Sequence, residues 1–158
     1  MAVIPSQAGQ CPVYDEQGGK TVHWDTGTRF EINGTPTCLA VKQTVAAGAS
    51  TICTVTLQAQ DLNGVNLAQV FDLYFYLSDS ATGAGFSAHV PTGGLNVTAG
   101  TAILTKVTNL VLEALTDATG KLVFTITDTA RTLYYIVSEV PGTGLLSIGP
   151  QLITGNYG

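Results

Sequence analysis

From Thr51 to Gln60 apolar and polar residues alternate one for one: Cys53, Val55, Leu57 and Ala59 against Thr54, Thr56, Gln58 and Gln60. A period of two puts every apolar side chain on one face of an extended strand. The same pattern returns along the chain. Leu73, Phe75 and Leu77 share one face of residues 71–78, and Tyr74 and Tyr76 occupy the other, so this stretch reads as a central strand apolar on both sides. Leu122, Phe124 and Ile126 alternate within residues 121–127. Shorter strand signals lie at 95–98, 102–106, 109–115, 133–140 and 145–154, the last with Pro150 marking an edge or a bulge.

Turn chemistry separates these runs. Asp61-Leu62-Asn63-Gly64 carries an Asn-Gly pair suited to positive φ. Thr116-Asp117-Ala118-Thr119-Gly120 and Pro141-Gly142-Thr143-Gly144 read as tight connections, and residues 80–94 as a loop rich in Gly, Ser, Ala and Thr. Helix periodicity is almost absent, and Thr, Val and Ile dominate the apolar runs. About seven strands at this spacing predict an all-β fold, a β-sandwich over residues 46–158.

Residues 1–45 differ. They contain Pro5, Pro12 and Pro36 with brief strand-like pieces at 21–24, 29–32 and 37–45. The expectation is an extended N-terminal arm or hairpin that packs on the sandwich or on a neighbouring subunit. Val3, Ile4, Tyr14, Trp24 and Phe30 are its candidate assembly contacts, because a short irregular arm cannot hide such side chains by itself.

Charged residues make up only 11% of the chain, with Thr, Ser, Asn, Gln and Gly at the polar positions. That composition suits surfaces that meet other protein. The net charge is −5, and Lys20, Arg29, Lys42, Lys106, Lys121 and Arg131 are scattered, so nucleic acid is not an expected partner. The first seven residues show neither a basic region nor a long apolar run, and no stretch approaches a membrane span. The chain is therefore expected to begin in a cytosol, without a membrane partner.

Residues able to carry chemistry form no recognisable set. His23 and His89 lie in different kinds of segment, with no Gly-x-Ser-x-Gly elbow nearby. Asp15 and Glu16 are adjacent and point to opposite faces of a strand; Asp61 and Asp72 fall at strand ends; Asp117 reads as a turn acid bonded to its own backbone. The glycine pairs at 83–85 and 93–94 lack the Lys and helix of a phosphate loop. Cys11, Cys38 and Cys53 have no metal-type spacing and read as small buried hydrophobes, a Cys38–Cys53 disulfide being disfavoured in a reducing compartment. Asn33-Gly34-Thr35 and Asn96-Val97-Thr98 are read as chance glycosylation triplets. Tyr74, Tyr76, Tyr134 and Tyr135 read as core and cross-strand residues before they read as a carbohydrate groove. No cofactor, no metal and no catalytic residue is expected.

Some of these segments resemble a known group. Val55-Thr56-Leu57-Gln58-Ala59-Gln60 running into Asp61-Leu62-Asn63-Gly64, with a second strand ending Leu77-Ser78-Asp79, is similar to a pattern recurring in tailed-phage virion proteins of the immunoglobulin-like type. Asp117-Ala118-Thr119-Gly120 leading into residues 121–127, and Thr132-Leu133-Tyr134-Tyr135, also look like such domains. The resemblance covers roughly residues 50–154. It implies an immunoglobulin-like β-sandwich and a structural role on the virion surface, foremost as a capsid decoration (cement) or head-fibre protein. The implied partners are a major capsid protein and further copies of the chain, with a homotrimer preferred. A tail or fibre component, or a glycan-binding module, is the alternative. The chain departs from antibody domains in lacking their Cys…Trp…Cys set, since Trp24 precedes the sandwich.

The charge pattern makes one simple forecast. Mixed with duplex DNA at physiological salt and micromolar protein, the chain should produce no gel shift; a salt-dependent shift would contradict the reading.

Overall fold

A computed structural model describes Cys38 and residues 40–158, together with the backbone pairing of four two-residue strands ahead of them. These are β1 (Tyr14–Asp15) antiparallel to β2 (Val22–His23), and β3 (Glu31–Ile32) antiparallel to β4 (Thr35–Pro36). They belong to a compact unit, Met1–Thr37, distinct from a second unit, Cys38–Gly158. Of the proposed assembly contacts, Tyr14 lies in β1; Val3, Ile4, Trp24 and Phe30 fall outside the described residues.

The second unit is a β-sandwich. Its strands are β5 (Ala40–Ala47), β6 (Ile52–Gln60), β7 (Asp72–Ser78), β8 (Gly94–Ala99), β9 (Thr101–Val107), β10 (Val111–Leu115), β11 (Lys121–Thr127), β12 (Tyr135–Glu139) and β13 (Leu146–Ile148). One sheet has the order β5-β6-β11-β8, the other β13-β12-β7-β10-β9, and every neighbouring pair is antiparallel. The arrangement β5-β6-β11-β8 facing β13-β12-β7 is that of strands ABED facing GFC in immunoglobulin sandwiches. Beyond β7 the sheet is widened by β10 and β9.

The alternating residues form the core. Val55, Leu57, Leu73, Phe75, Leu77, Leu122, Phe124 and Ile126 are all fully buried, as their phase requires. Register explains how they meet: Phe124 pairs with Val55 in one sheet, Phe75 with Leu112 in the other. Phe75 and Phe124 stack across the gap, ring centres 4.4 Å apart and planes 25° from parallel. β7 is the central strand of its sheet. The outward Tyr76 and Val137 are buried as well, because the loop after β7 folds back over them. Tyr76 donates to the Gly83 carbonyl at 2.6 Å and meets Phe86 edge-on.

Two boundaries differ from the sequence expectation, and one change of sheet lies outside it. The strand Ala40–Ala47 is not part of an arm: it pairs along its whole length with β6, from Ala40 opposite Gln60 to Ala47 opposite Cys53. Its inward residues Val41, Gln43 and Val45 alternate weakly in hydropathy, which hides it in the sequence. The last strand stops at Ile148, before Gly149-Pro150, since proline has no N–H to continue a ladder. Finally, β8 and β9 are consecutive but lie in different sheets, joined by Gly100 alone. Gly100 sits at φ +93, and a Cβ there would collide with the Leu115 carbonyl oxygen. Only glycine can turn this corner.

Two of the three cysteines are described, both buried and free. Cys53 pairs with Ala47 at one end of the β5–β6 ladder, while Cys38 lies beyond Ala40 at the other. The length of β5 separates them by roughly 20 Å or more at ~3.3 Å per residue, far beyond disulfide reach.

Replacing Phe124 by Ala removes one side of the inter-sheet stack and leaves a cavity. It should cost on the order of 3–5 kcal/mol. A urea midpoint shifted down at unchanged slope is the expected measurement; a shift corresponding to under about 1 kcal/mol would show the stack to be peripheral.

Candidate functional site

The outer face of the five-stranded sheet holds a concavity. It is about 460 Å³ and lined by Asp72, Tyr74, Lys106, Glu113, Glu139, Pro141 and Gly142. Strand pairing assembles it from four strands: Glu113 stands opposite Tyr74, and Leu115 opposite Asp72, which places Asp72, Tyr74 and Glu113 on one face. Lys106 reaches in from β9, its Nζ 2.8 Å from Glu113 Oε2 and 4.9 Å from the centre of the Tyr74 ring.

Three carboxyls, Asp72, Glu113 and Glu139, share the concavity with one cation, Lys106. The Lys106 ammonium, hydrogen-bonded to Glu113, holds the Glu113 carboxyl below its ordinary value, and Glu113 in turn raises the ammonium. Partial burial raises the Asp72 carboxyl, and the facing charge of Glu113 adds to the effect. What the concavity offers is a half-buried aromatic ring with hydrogen-bond acceptors around it.

Four further acids among the described residues bond to the backbone. Asp61 Oδ1 accepts from the N–H groups of Asn63 and Val65 and closes the turn before Gly64, which has φ +76. Asp117 Oδ1 accepts from the Thr119 and Lys121 N–H groups and from the Thr119 hydroxyl. Both are turn acids, as expected for Asp117 from its sequence context. Asp79 accepts from the Ser87 hydroxyl at 2.6 Å and the Ala88 N–H at 2.8 Å, pinning the loop after β7. Asp128, which the sequence did not single out, is buried and holds the β11–β12 connection: its carboxylate accepts from the Ala130 and Thr132 N–H groups and from the Tyr134 hydroxyl. The signal available was the spacing Asp128…Thr132…Tyr134, a buried acid with its donors two to six residues ahead.

Other candidates disperse. His89 belongs to the loop after β7, exposed, with its N–H on the Ser87 hydroxyl. His23 lies in β2. Burial pushes the Cys53 thiol up to about 11, so it is protonated at neutral pH. Among the described residues no group of three or more His, Cys, Asp or Glu is placed to hold a metal ion, and no helix is long and apolar enough to cross a membrane. Tyr76 and Tyr134 are core residues, while Tyr74 and Tyr135 are half-buried.

A different feature stands out on the surface. All seven residues of β9 are exposed, among them Ile103, Leu104 and Val107. The other end of the same sheet exposes Leu145, Leu146 and Ile148. Large aliphatic side chains thus flank both margins of one sheet.

No family model, curated protein or solved structure matches this chain.

Asp128 makes the fold sensitive to acid. Burial alone would raise its carboxyl, but the Thr132 and Ala130 donors outweigh burial and leave it below the ordinary value. A depressed folded pKa means that the unfolded chain binds the proton more readily. The stabilisation is complete above about pH 4, the unfolded carboxyl value, and is lost as pH falls through the folded pKa. Urea midpoints at pH 7, 4 and 3 should fall in that order. Asp128→Asn should be less stable at pH 7 and lose less on acidification; an unchanged acid slope in the variant would contradict the assignment.

Proposed function

We propose that this chain is a structural protein of a tailed-phage particle, a capsid decoration protein that binds the outer shell and stabilises it. The single observation that carries the reading is the combination of a well-filled core with large aliphatic side chains left on both margins of the five-stranded sheet. Contiguous exposed apolar surface on a folded domain marks contact with other protein. The sequence resemblance to immunoglobulin-like virion proteins supplies the kind of partner: a major capsid protein, and further copies of the chain as a homo-oligomer, preferably a trimer. Such a protein is assembled in the host cytoplasm and works at the virion surface without catalysis. Its mechanism is adhesion. Many modest contacts joined in one oligomer gain by raising the effective concentration of each, and a chain with only 11% charged residues meets little repulsion on docking.

A second reading, a tail, fibre or surface module that binds glycan, is favoured by the concavity at Tyr74. An aromatic ring flanked by Asp72 and Glu113 has the apolar floor and polar rim that a sugar ring requires. Labelling the chain and imaging purified particles in negative stain separates shell from tail.

The attachment role of the N-terminal segment ahead of β5 is tested by truncation. Deleting residues 1–30 leaves the sandwich and its core intact, so circular dichroism and the thermal midpoint of the sandwich should persist. The truncated chain should no longer sediment with undecorated particles, or should no longer oligomerise. Unchanged affinity and oligomeric state would move the docking face onto the sandwich, with the loop of residues 80–94 the next place to look.

A further inference from the structure

The chain beyond β13 makes no ladder. In residues 150–158 only Leu152 and Tyr157 are buried; Pro150, Gln151, Ile153, Thr154 and Gly155 face solvent. The segment is held by a few hydrogen bonds. Leu152 N–H donates to the Tyr134 carbonyl at 2.8 Å, Gln151 Nε2 to the Leu133 carbonyl at 3.0 Å, and the Tyr157 hydroxyl to the Thr132 carbonyl at 2.7 Å. All three acceptors belong to one connection, between β11 and β12, which is itself hung from the Asp128 carboxylate.

The far end of the segment reaches the four-stranded sheet. The short 3-10 turn Thr154–Asn156 packs on β5 and β6, and Gly158 N–H lies 3.4 Å from the Ile52 carbonyl. Cys53 follows Ile52 on β6, so the Gly158 contact ends beside it. Cys53 has no exposed surface.

We propose that residues 150–158 form a strap that swings off the end of the sandwich as a unit while both sheets stay folded, with Tyr157 as its latch and Cys53 beneath it. Segments with few buried side chains and no ladder open at far lower free energy than the core they rest on. Two buried side chains anchor this one, and most of its hydrogen bonds go to a loop. When the strap lifts, the seam between the β5–β6 hairpin and the β11–β12 connection becomes accessible, a surface the closed chain does not present.

Thiol labelling of the full chain reads this directly. N-ethylmaleimide at fixed pH, followed by peptide mass mapping, separates Cys53 from Cys11 and Cys38. In the wild-type chain Cys53 should be modified slowly, at a rate nearly unchanged by urea well below the unfolding transition. Tyr157→Phe removes only the hydroxyl bond to Thr132 and should speed Cys53 modification by about 2- to 10-fold, the range one hydrogen bond supplies, at a nearly unchanged thermal midpoint. Tyr157→Ala should speed it further. Amide exchange gives a readout that needs no variant: Leu152 should exchange orders of magnitude faster than Leu57 in β6. Cys53 modification that rises with urea along the global unfolding slope would overturn the proposal. So would a Tyr157→Phe rate equal to wild type, or Leu152 protection equal to that of Leu57.

Discussion

Phe75 and Phe124 stack in the gap between the two sheets, and the rest of the sandwich is arranged to keep them there. Each ring comes from a strand flanked on both sides, β7 between β12 and β10, β11 between β6 and β8. Burying both rings fixes the phase of those strands, and a strand shifted by one residue would send every core side chain to solvent. Register then spreads outward from the two central strands. Val55 and Leu57 must face inward because they oppose Phe124 and Leu122, and Leu112 and Ala114 because they oppose Phe75 and Leu73. The hydrophobic effect supplies the energy, but pairing geometry decides which residues receive it.

A chain with few charges cannot rely on ion pairs for its connections, and it uses its carboxylates where backbone N–H groups would otherwise go unsatisfied. Asp61, Asp117 and Asp128 each accept from two N–H groups two and four residues ahead, at three different strand exits. The recurring geometry is local and short, so it needs no partner strand to form. Among the described residues Lys106 and Glu113 do form an ion pair, joining β9 to β10 on the open face. Exposed as they are, their value lies more in positioning β9 than in stability.

What the sequence revealed follows from how local each signal is. The phases of β6, β7 and β11 were readable because two-residue alternation is written into a single segment. The turn role of Asp117 was readable because its donors lie within four residues. β5 was misplaced with the arm because Val41, Gln43 and Val45 show too little contrast with Lys42 and Thr44; its membership in the sheet is decided by the partner strand. The concavity was invisible because Asp72, Lys106 and Glu113 come from three separate strands and meet only through pairing. The change of sheet between β8 and β9 depends on one positive φ at Gly100, and nothing distinguishes that glycine from the chain's other turn glycines until Leu115 is in place.

β9 then poses a question of its own, since an exposed, apolar edge strand is a template for unwanted pairing. Its pairing with β10 shifts register twice, between Val111 and Leu112 and again between Glu113 and Ala114, so β9 carries an extra residue at each place, Lys106 and Ile103. Bulges twist an edge and break its row of free N–H and C=O groups, and a lysine on the edge repels a second copy of itself. The edge is therefore poorly suited to growing a continuous sheet from molecule to molecule. Ile103, Leu104 and Val107 remain available as side chains even though the backbone is not. A surface built this way favours a partner that packs against it over one that adds a strand, and that preference lets a domain adhere to another protein without polymerising.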